Sequence, residues 1–212
     1  MNNEILLTPE ELYYLGSAVQ AKYIDYAYVA AMDDIGQNYA LFENDAKNSL
    51  VNAGILMEDF SGNAELDPNA EMLTRPIFFG ESESSIDICE IGEEISVTVI
   101  KYHFLDGNIT MVSGKDGKLC IKSVSSDEIR SFTESILSED YPEITPTVKE
   151  NIAKETVSRF FAAKAVSLER QSIVKTYIES DGIVYREMED GTLESVSRET
   201  FVNDVYNIVK GE

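Results

Sequence analysis

The sequence predicts an α+β protein, a central antiparallel sheet flanked by helices, and three observations predict it. Helical signals with capping residues occupy the first third, a hydrophobic period of two takes over near residue 84, and Asp-Gly turns punctuate everything after that. The order of strands and turns also recurs, which predicts a quasi-two-fold arrangement from an internal strand–helix duplication.

Thr8-Pro9-Glu10-Glu11 is a capping box with proline at the first helical position, followed by Leu12, Leu15 and Val19 on one face. Apolar and tyrosine positions continue through Tyr23, Tyr26, Ala27 and Ala30, although Gly16 weakens an unbroken helix. A second helix is predicted over Asn44 to Ala53, with Phe42, Ala46 and Leu50 as its stripe and Gly54 as its stop. Ser61-Gly62-Asn63 reads as a turn. Asp67-Pro68 opens a third helix that is expected to end before Pro76, because a residue preceding proline is pushed out of the α region.

Ile86, Ile88 and Glu90 begin a strand, and Ile95 to Leu105 is a β-branched and aromatic run. Asp106-Gly107 and Asp116-Gly117 are two-residue hairpin turns around the strand Ile109 to Ser113, and Leu119 to Val124 follows. Ser125 with Glu128 is a second capping box, opening a helix to about Leu137. Residues 139–146 form a polar connector with Pro142 and Pro146. Thr147 with Glu150 then predicts a helix carrying Val148, Ile152, Val157, Phe160 and Phe161. Gln171 to Glu179, Ile183 to Met188 and Leu193 to Val196 are strands joined at Asp181-Gly182 and Asp190-Gly191. Ser197 starts a final helix with Phe201, Val205, Ile208 and Val209 as its buried stripe.

The second series repeats the first in order. Val99-Ile100-Lys101 matches Ile173-Val174-Lys175, the two pairs of Asp-Gly turns match, and Ser123-Val124-Ser125 matches Ser195-Val196-Ser197. The expected division is therefore residues 1–142, with helices, meander and helix, and residues 143–212, repeating a helix–meander–helix unit. The two halves are expected to share one compact domain, because each sheet alone leaves edges unpaired.

Composition bounds the function. The 212 residues carry 39 acidic and 17 Lys plus Arg side chains, a formal charge of −22, with 43% hydrophobic residues. That apolar content is that of a folded chain. The charge repels phosphate and anionic lipid, so no nucleic-acid or membrane partner is expected. Met1-Asn2-Asn3-Glu4 lacks the basic start and apolar core of a signal peptide, no apolar run is long enough to span a bilayer, and Cys89 and Cys120 read as reduced thiols. The expected location is cytoplasmic.

Motifs for chemistry are missing. His103 lies mid-strand between Tyr102 and Phe104 and reads as a half-buried sheet residue; its combination with Cys89 and Cys120 lacks zinc-site spacing. Asp181 to Asp190 does not match a calcium loop, and no phosphate loop, nucleophile elbow or zinc-protease motif occurs. No cofactor, metal or catalytic residue is expected, and the reading is non-enzymatic. The tyrosines crowding the first forty residues read as the rim of the core, or alternatively as a protein-binding face.

The layout resembles the EspG family, the cytosolic chaperones of ESX (type VII) secretion, as a distant relative would. The resembling features are Leu7-Thr8-Pro9-Glu10-Glu11-Leu12, the helix ending Leu50-Val51-Asn52-Ala53-Gly54-Ile55-Leu56, the Gly62 turn, Asp67-Pro68, Thr74-Arg75-Pro76 and the strand–helix duplication. The resemblance implies recognition of helical-hairpin secretion substrates, held by a loop between sheet strands and by the C-terminal helical part. The corresponding loop here is Leu105, Asp106, Gly107 and Asn108. Two other classes stay open at this point. One is an acidic immunity protein occluding the basic active-site cleft of a toxin; the other is an enzyme without recognisable motifs. The partner's identity, the binding face and the oligomeric state are left open.

Overall fold

In the computed structural model, residues 4–30, 32, 39–58, 64–167 and 172–211 are described. Ten strands form one large antiparallel sheet flanked by helices, in the order β1-β7-β6-β5-β4-β9-β10-β11-β12-β8. A short hairpin, β2 (Leu56–Glu58) with β3 (Ala64–Leu66), stands apart from it. The predicted α+β class is the observed one. The turn expected at Ser61-Gly62-Asn63 lies outside the described residues. The chain divides into two compact units, residues 1–81 with 103–123, and residues 82–102 with 124–212.

In the first unit β1 (Glu4–Leu7) pairs antiparallel with β7 (Lys118–Ser123), which pairs with β6 (Asn108–Lys115). Strand β1 has no signal in the sequence, because Ile5-Leu6-Leu7 shows no alternation and its partner lies more than 100 residues on. Helix α1 (Pro9–Ala18) begins as expected: Thr8 accepts from the Glu11 N–H at 3.2 Å and Glu11 Oε2 accepts from the Thr8 N–H at 2.7 Å. The single turn α2 (Tyr26–Val29) and α3 (Tyr39–Asn52) follow, with Gly54 in the left-handed region after α3. Leu7, Leu12, Leu15, Leu50, Leu73, Ile77, Phe78, Val112 and Ile121 make the core of this unit.

Helix α4 runs from Pro68 to Phe79, straight through Pro76, where the sequence predicts a stop. An interior proline removes one helical hydrogen bond and costs about 3 kcal/mol. Burial of Leu73, Ile77 and Phe78 along one stripe, each worth roughly 1.5–3 kcal/mol, outweighs that cost. The helix stops at Gly80, where an added Cβ would lie 2.3 Å from the Pro76 carbonyl oxygen. His103, expected to be half-buried, is fully buried and meets the Tyr28 hydroxyl at 2.8 Å through Nε2.

The second unit is built around β4 (Ser82–Ile91), the first eight residues of β5 (Ile95–Leu105), β9 (Val157–Ser167), β10 (Ser172–Ser180), β11 (Ile183–Glu187) and β12 (Leu193–Ser195). The helix expected across 147–161 is absent. Val148–Lys149 is the edge strand β8, Lys154–Thr156 is one 3-10 turn, and β9 starts at Val157. The Thr147 N–H that was to open that helix donates instead to Ser195 Oγ at 2.8 Å. Phe160, Phe161 and Val166 fit a pleated ladder, and β9 has partners on both sides, β4 and β10. That two-sided pairing overrides a local capping signal. The expected helix–meander–helix order of residues 143–212 therefore begins with strands.

Helices α5 (Ser126–Ser135) and α6 (Arg198–Lys210) start at the predicted caps, Ser125 with its Glu128 box and Ser197. Phe201, Val202, Val205, Ile208 and Val209 of α6 are buried, with Phe201 edge-on to Phe161 at 5.6 Å and to Tyr177 at 5.0 Å.

Two tyrosines of this unit link stability to alkaline pH. Burial alone raises the Tyr102 phenol, whose hydroxyl has no partner among the described residues. Burial, and then the Asp204 carboxylate, raise that of Tyr177. Below pH ~10 both phenols are neutral whether folded or not, and their contribution is complete. Above it only the unfolded state ionises. Stability therefore falls by about 1.4 kcal/mol per pH unit for each tyrosine as pH rises toward the folded values. Urea midpoints from pH 9 to 11 should decline accordingly, with a shallower decline in Tyr177→Phe.

Candidate functional site

Side-chain alternation in the second unit gives its sheet two unlike faces. Ile88 opposes Phe161, which opposes Tyr177, so Ile86, Ile88, Phe161, Ala163 and Tyr177 share one face. Helix α6 covers it: besides the Phe201 contacts, Ser84 Oγ donates to the Val209 carbonyl at 2.8 Å. Arg186 and Asp204, 2.7 Å apart, and Arg159 with Glu179 stitch its border.

The opposite face carries Cys89 and Ile91 of β4, Phe160, Ala162 and Val166 of β9, and Val174 and Ile178 of β10. Lys101 reaches Glu83 at 3.8 Å, which places Val99, Val97 and Ile95 on this same face by alternation. Val97 is 65% exposed, Val174 55% and Phe160 37%. These exposed large apolar side chains lie together on one strand surface rather than scattered over the protein. Its charges are satisfied internally, because Lys101 pairs with Glu83 and Lys164 pairs with Asp87. On a chain of formal charge −22, four charges summing to zero make this face a locally neutral apolar field.

Leu105, Asp106, Gly107 and Asn108 belong to the first unit and form the tight link from β5 to β6. Asp106 and Gly107 have φ of 50° and 78°, the geometry of a type I′ hairpin that Asp-Gly favours. Asp106, Gly107 and Asn108 are exposed and Leu105 is half-buried. The turn displays one carboxylate and one amide, with no apolar surface beyond Leu105.

A pocket of about 660 Å³ lies beside the start of α6, lined by Arg130, Tyr141, Glu143 and Arg198 among others. Both arginines are engaged. Arg130 donates to Asn203 at 3.0 Å and pairs with Glu134; Arg198 donates to the Glu134 and Ser138 carbonyls and lies over Tyr141. Three carboxylates, Glu134, Glu143 and Glu199, line the pocket beside the two arginines, so its charge does not favour an anionic ligand. Among the described residues, no group of three His, Cys, Asp or Glu side chains has a geometry that would hold a metal ion. Cys89 and Cys120 are free thiols, and among the described residues no helix is long and apolar enough to cross a membrane.

The open face escapes a reading of the sequence because β9 carries apolar residues on both faces, Phe161 and Ala163 on one and Phe160, Ala162 and Val166 on the other, so its pattern does not say which face a helix covers. The alternation Ile95-Ser96-Val97-Thr98-Val99 is the one signal that could have marked it.

No family model matches the sequence, and no curated protein does. The fold, in contrast, has known counterparts. It matches the structure of the Mycobacterium tuberculosis type VII secretion system chaperone EspG5, solved in complex with the PE25–PPE41 dimer. The TM-score is 0.65 at 9% identity, over 97% of this chain and 96% of that one, so this chain has the EspG5 fold.

Proposed function

We propose that the protein is a non-enzymatic chaperone or adaptor that binds helical substrates of a type VII-like secretion system in the cytosol. The observation that carries the reading is the pairing of an EspG5 fold across nearly the whole chain with an uncovered, locally neutral apolar sheet face. An amphipathic helix or helix tip buries its apolar stripe on such a face, and the acidic remainder of the surface keeps the complex dissolved. The internal duplication belongs to this reading. It is supported by Asp106-Gly107 and Asp181-Gly182, which adopt closely similar positive φ values at corresponding turns. The Leu105 to Asn108 turn enters as an accessory contact, and the sheet face as the main one.

A tagged pull-down from the host's cytosol, washed at low and at high salt, tests the proposal. A helix-rich exported protein retained at high salt is the expected result. A basic toxin that elutes as salt rises identifies an immunity protein instead, because attraction between exposed charges is screened beyond about 10 Å at 0.1 M salt. Beads without a partner at either salt count against both.

A further inference from the structure

Strand β10 is longer than the strand beside it. Pairing with β11 ends at Tyr177 opposite Arg186, while pairing with β9 continues to Ser172 opposite Val166. Ile173, Val174 and Lys175 therefore have a strand on one side only. The chain that would have filled the other side turns away through Met188 to Gly191, where the Gly191 N–H donates to the Met188 carbonyl at 2.9 Å. A groove of about 830 Å³ is left, with Ile173 to Thr176 as one wall and Arg186 to Asp190 as the other.

Hairpin geometry says which backbone groups face it. Ser180 and Ile183 flank the two-residue turn and exchange hydrogen bonds, so even-numbered residues of β10 point their N–H and C=O groups toward the β11 side. The Val174 N–H and C=O thus lie at the open edge. Natural edges are usually guarded by a lysine or a proline. Here the lysine of the stretch, Lys175, is drawn away to Asp204 at 3.2 Å.

The charges of the groove select its occupant. Lys175 is committed to Asp204, and Arg186 to Glu194 at 2.6 Å and Asp204 at 2.7 Å. Glu187, Glu189 and Asp190 on the opposite wall have no cationic partner among the described residues. A second copy of this chain would bring the same acidic wall and a further charge of −22. We propose that this edge accepts an extended, basic segment of a partner protein as an added antiparallel strand, paired through Val174 and flanked by Ile173 and Val174 side chains. The inference rests on the edge geometry and charge, independently of the chaperone reading, so its failure leaves that reading standing.

The probe is a synthetic peptide, acetyl-Lys-Val-Thr-Val-Lys-Val-Thr-Lys-amide, titrated by fluorescence anisotropy with amide hydrogen exchange as the structural readout. In the free protein the Val174 amide should exchange like an exposed loop amide, and saturating peptide should slow it at least tenfold. Methylating alternate peptide nitrogens, or replacing its lysines by glutamates, should abolish binding. Val174→Pro removes the edge N–H without touching a β9 hydrogen bond and should do the same. Binding that survives N-methylation, equal binding of the glutamate peptide, protection at β1 or β8 instead of Val174, or self-association of the free protein would each overturn the proposal. The peptide variants decide the matter even where Val174→Pro does not fold.

Discussion

Phe201→Ala should lower the unfolding free energy by about 3–5 kcal/mol, the range for deleting a fully buried phenylalanine without collapse of the site. Phe201 is wholly buried on α6 and meets Phe161 and Tyr177 edge-on. Its removal takes away both aromatic contacts and leaves a void between the helix and the covered sheet face. That loss is a large share of the 5–15 kcal/mol typical of a domain. Phe201→Leu, which keeps most of the volume, should cost less than half as much. Urea denaturation of the two variants measures the difference. Equal and small losses would mean that α6 does not hold the sheet.

The second large effect concerns binding. Replacing Val97 and Phe160 together by lysine, or together by glutamate, should weaken capture of the helical partner about 100-fold in either case. Each residue contributes roughly 1.5–3 kcal/mol when buried by a partner, and 1.4 kcal/mol is a factor of ten. Val97 is 65% exposed, so its change should alter stability by less than about 0.5 kcal/mol, whereas Phe160, 37% exposed, loses some packing and its variants need the stability check. The two signs separate the functional readings. Desolvation of an apolar face is spoiled by either charge. Occlusion of a basic toxin cleft is weakened by lysine alone. A competition assay with both double variants, each checked by thermal melting, makes the distinction.

Most of the elements were legible because they rest on local chemistry. Thr8 and Ser125 cap helices through hydrogen bonds spanning three residues, and the Asp-Gly turns at 106, 116 and 181 need only two left-handed residues in a row. Elements decided by distant partners were not legible. Strand β1 forms against Leu119 to Lys122, and residues 157–161 become strand between β4 and β10 against their own capping signal. Pro76 stays helical for the same kind of reason, since the stripe that holds it belongs to the core of the first unit. The candidate site was the least legible part. Which side of β9, apolar on both, faces water is decided by where α6 lies, and the groove beside β10 exists because β11 stops early, which no residue type announces.

The pairing of β4 with β9 also sets a timetable on the ribosome. Residues 82–90 find their partner only at 159–167, and the helix that covers them ends at Lys210. At ~5–20 residues per second, several seconds separate emergence of the first strand from emergence of its cover. The first unit, whose last strand ends at Ser123, has all its residues well before that. During the interval the edge of β4 that β9 will pair stays open and its Ile86 and Ile88 stay uncovered, the kind of segment on which general chaperones and aggregation compete. A protein proposed to shelter the apolar stripes of others thus spends its own synthesis exposed to the same hazard.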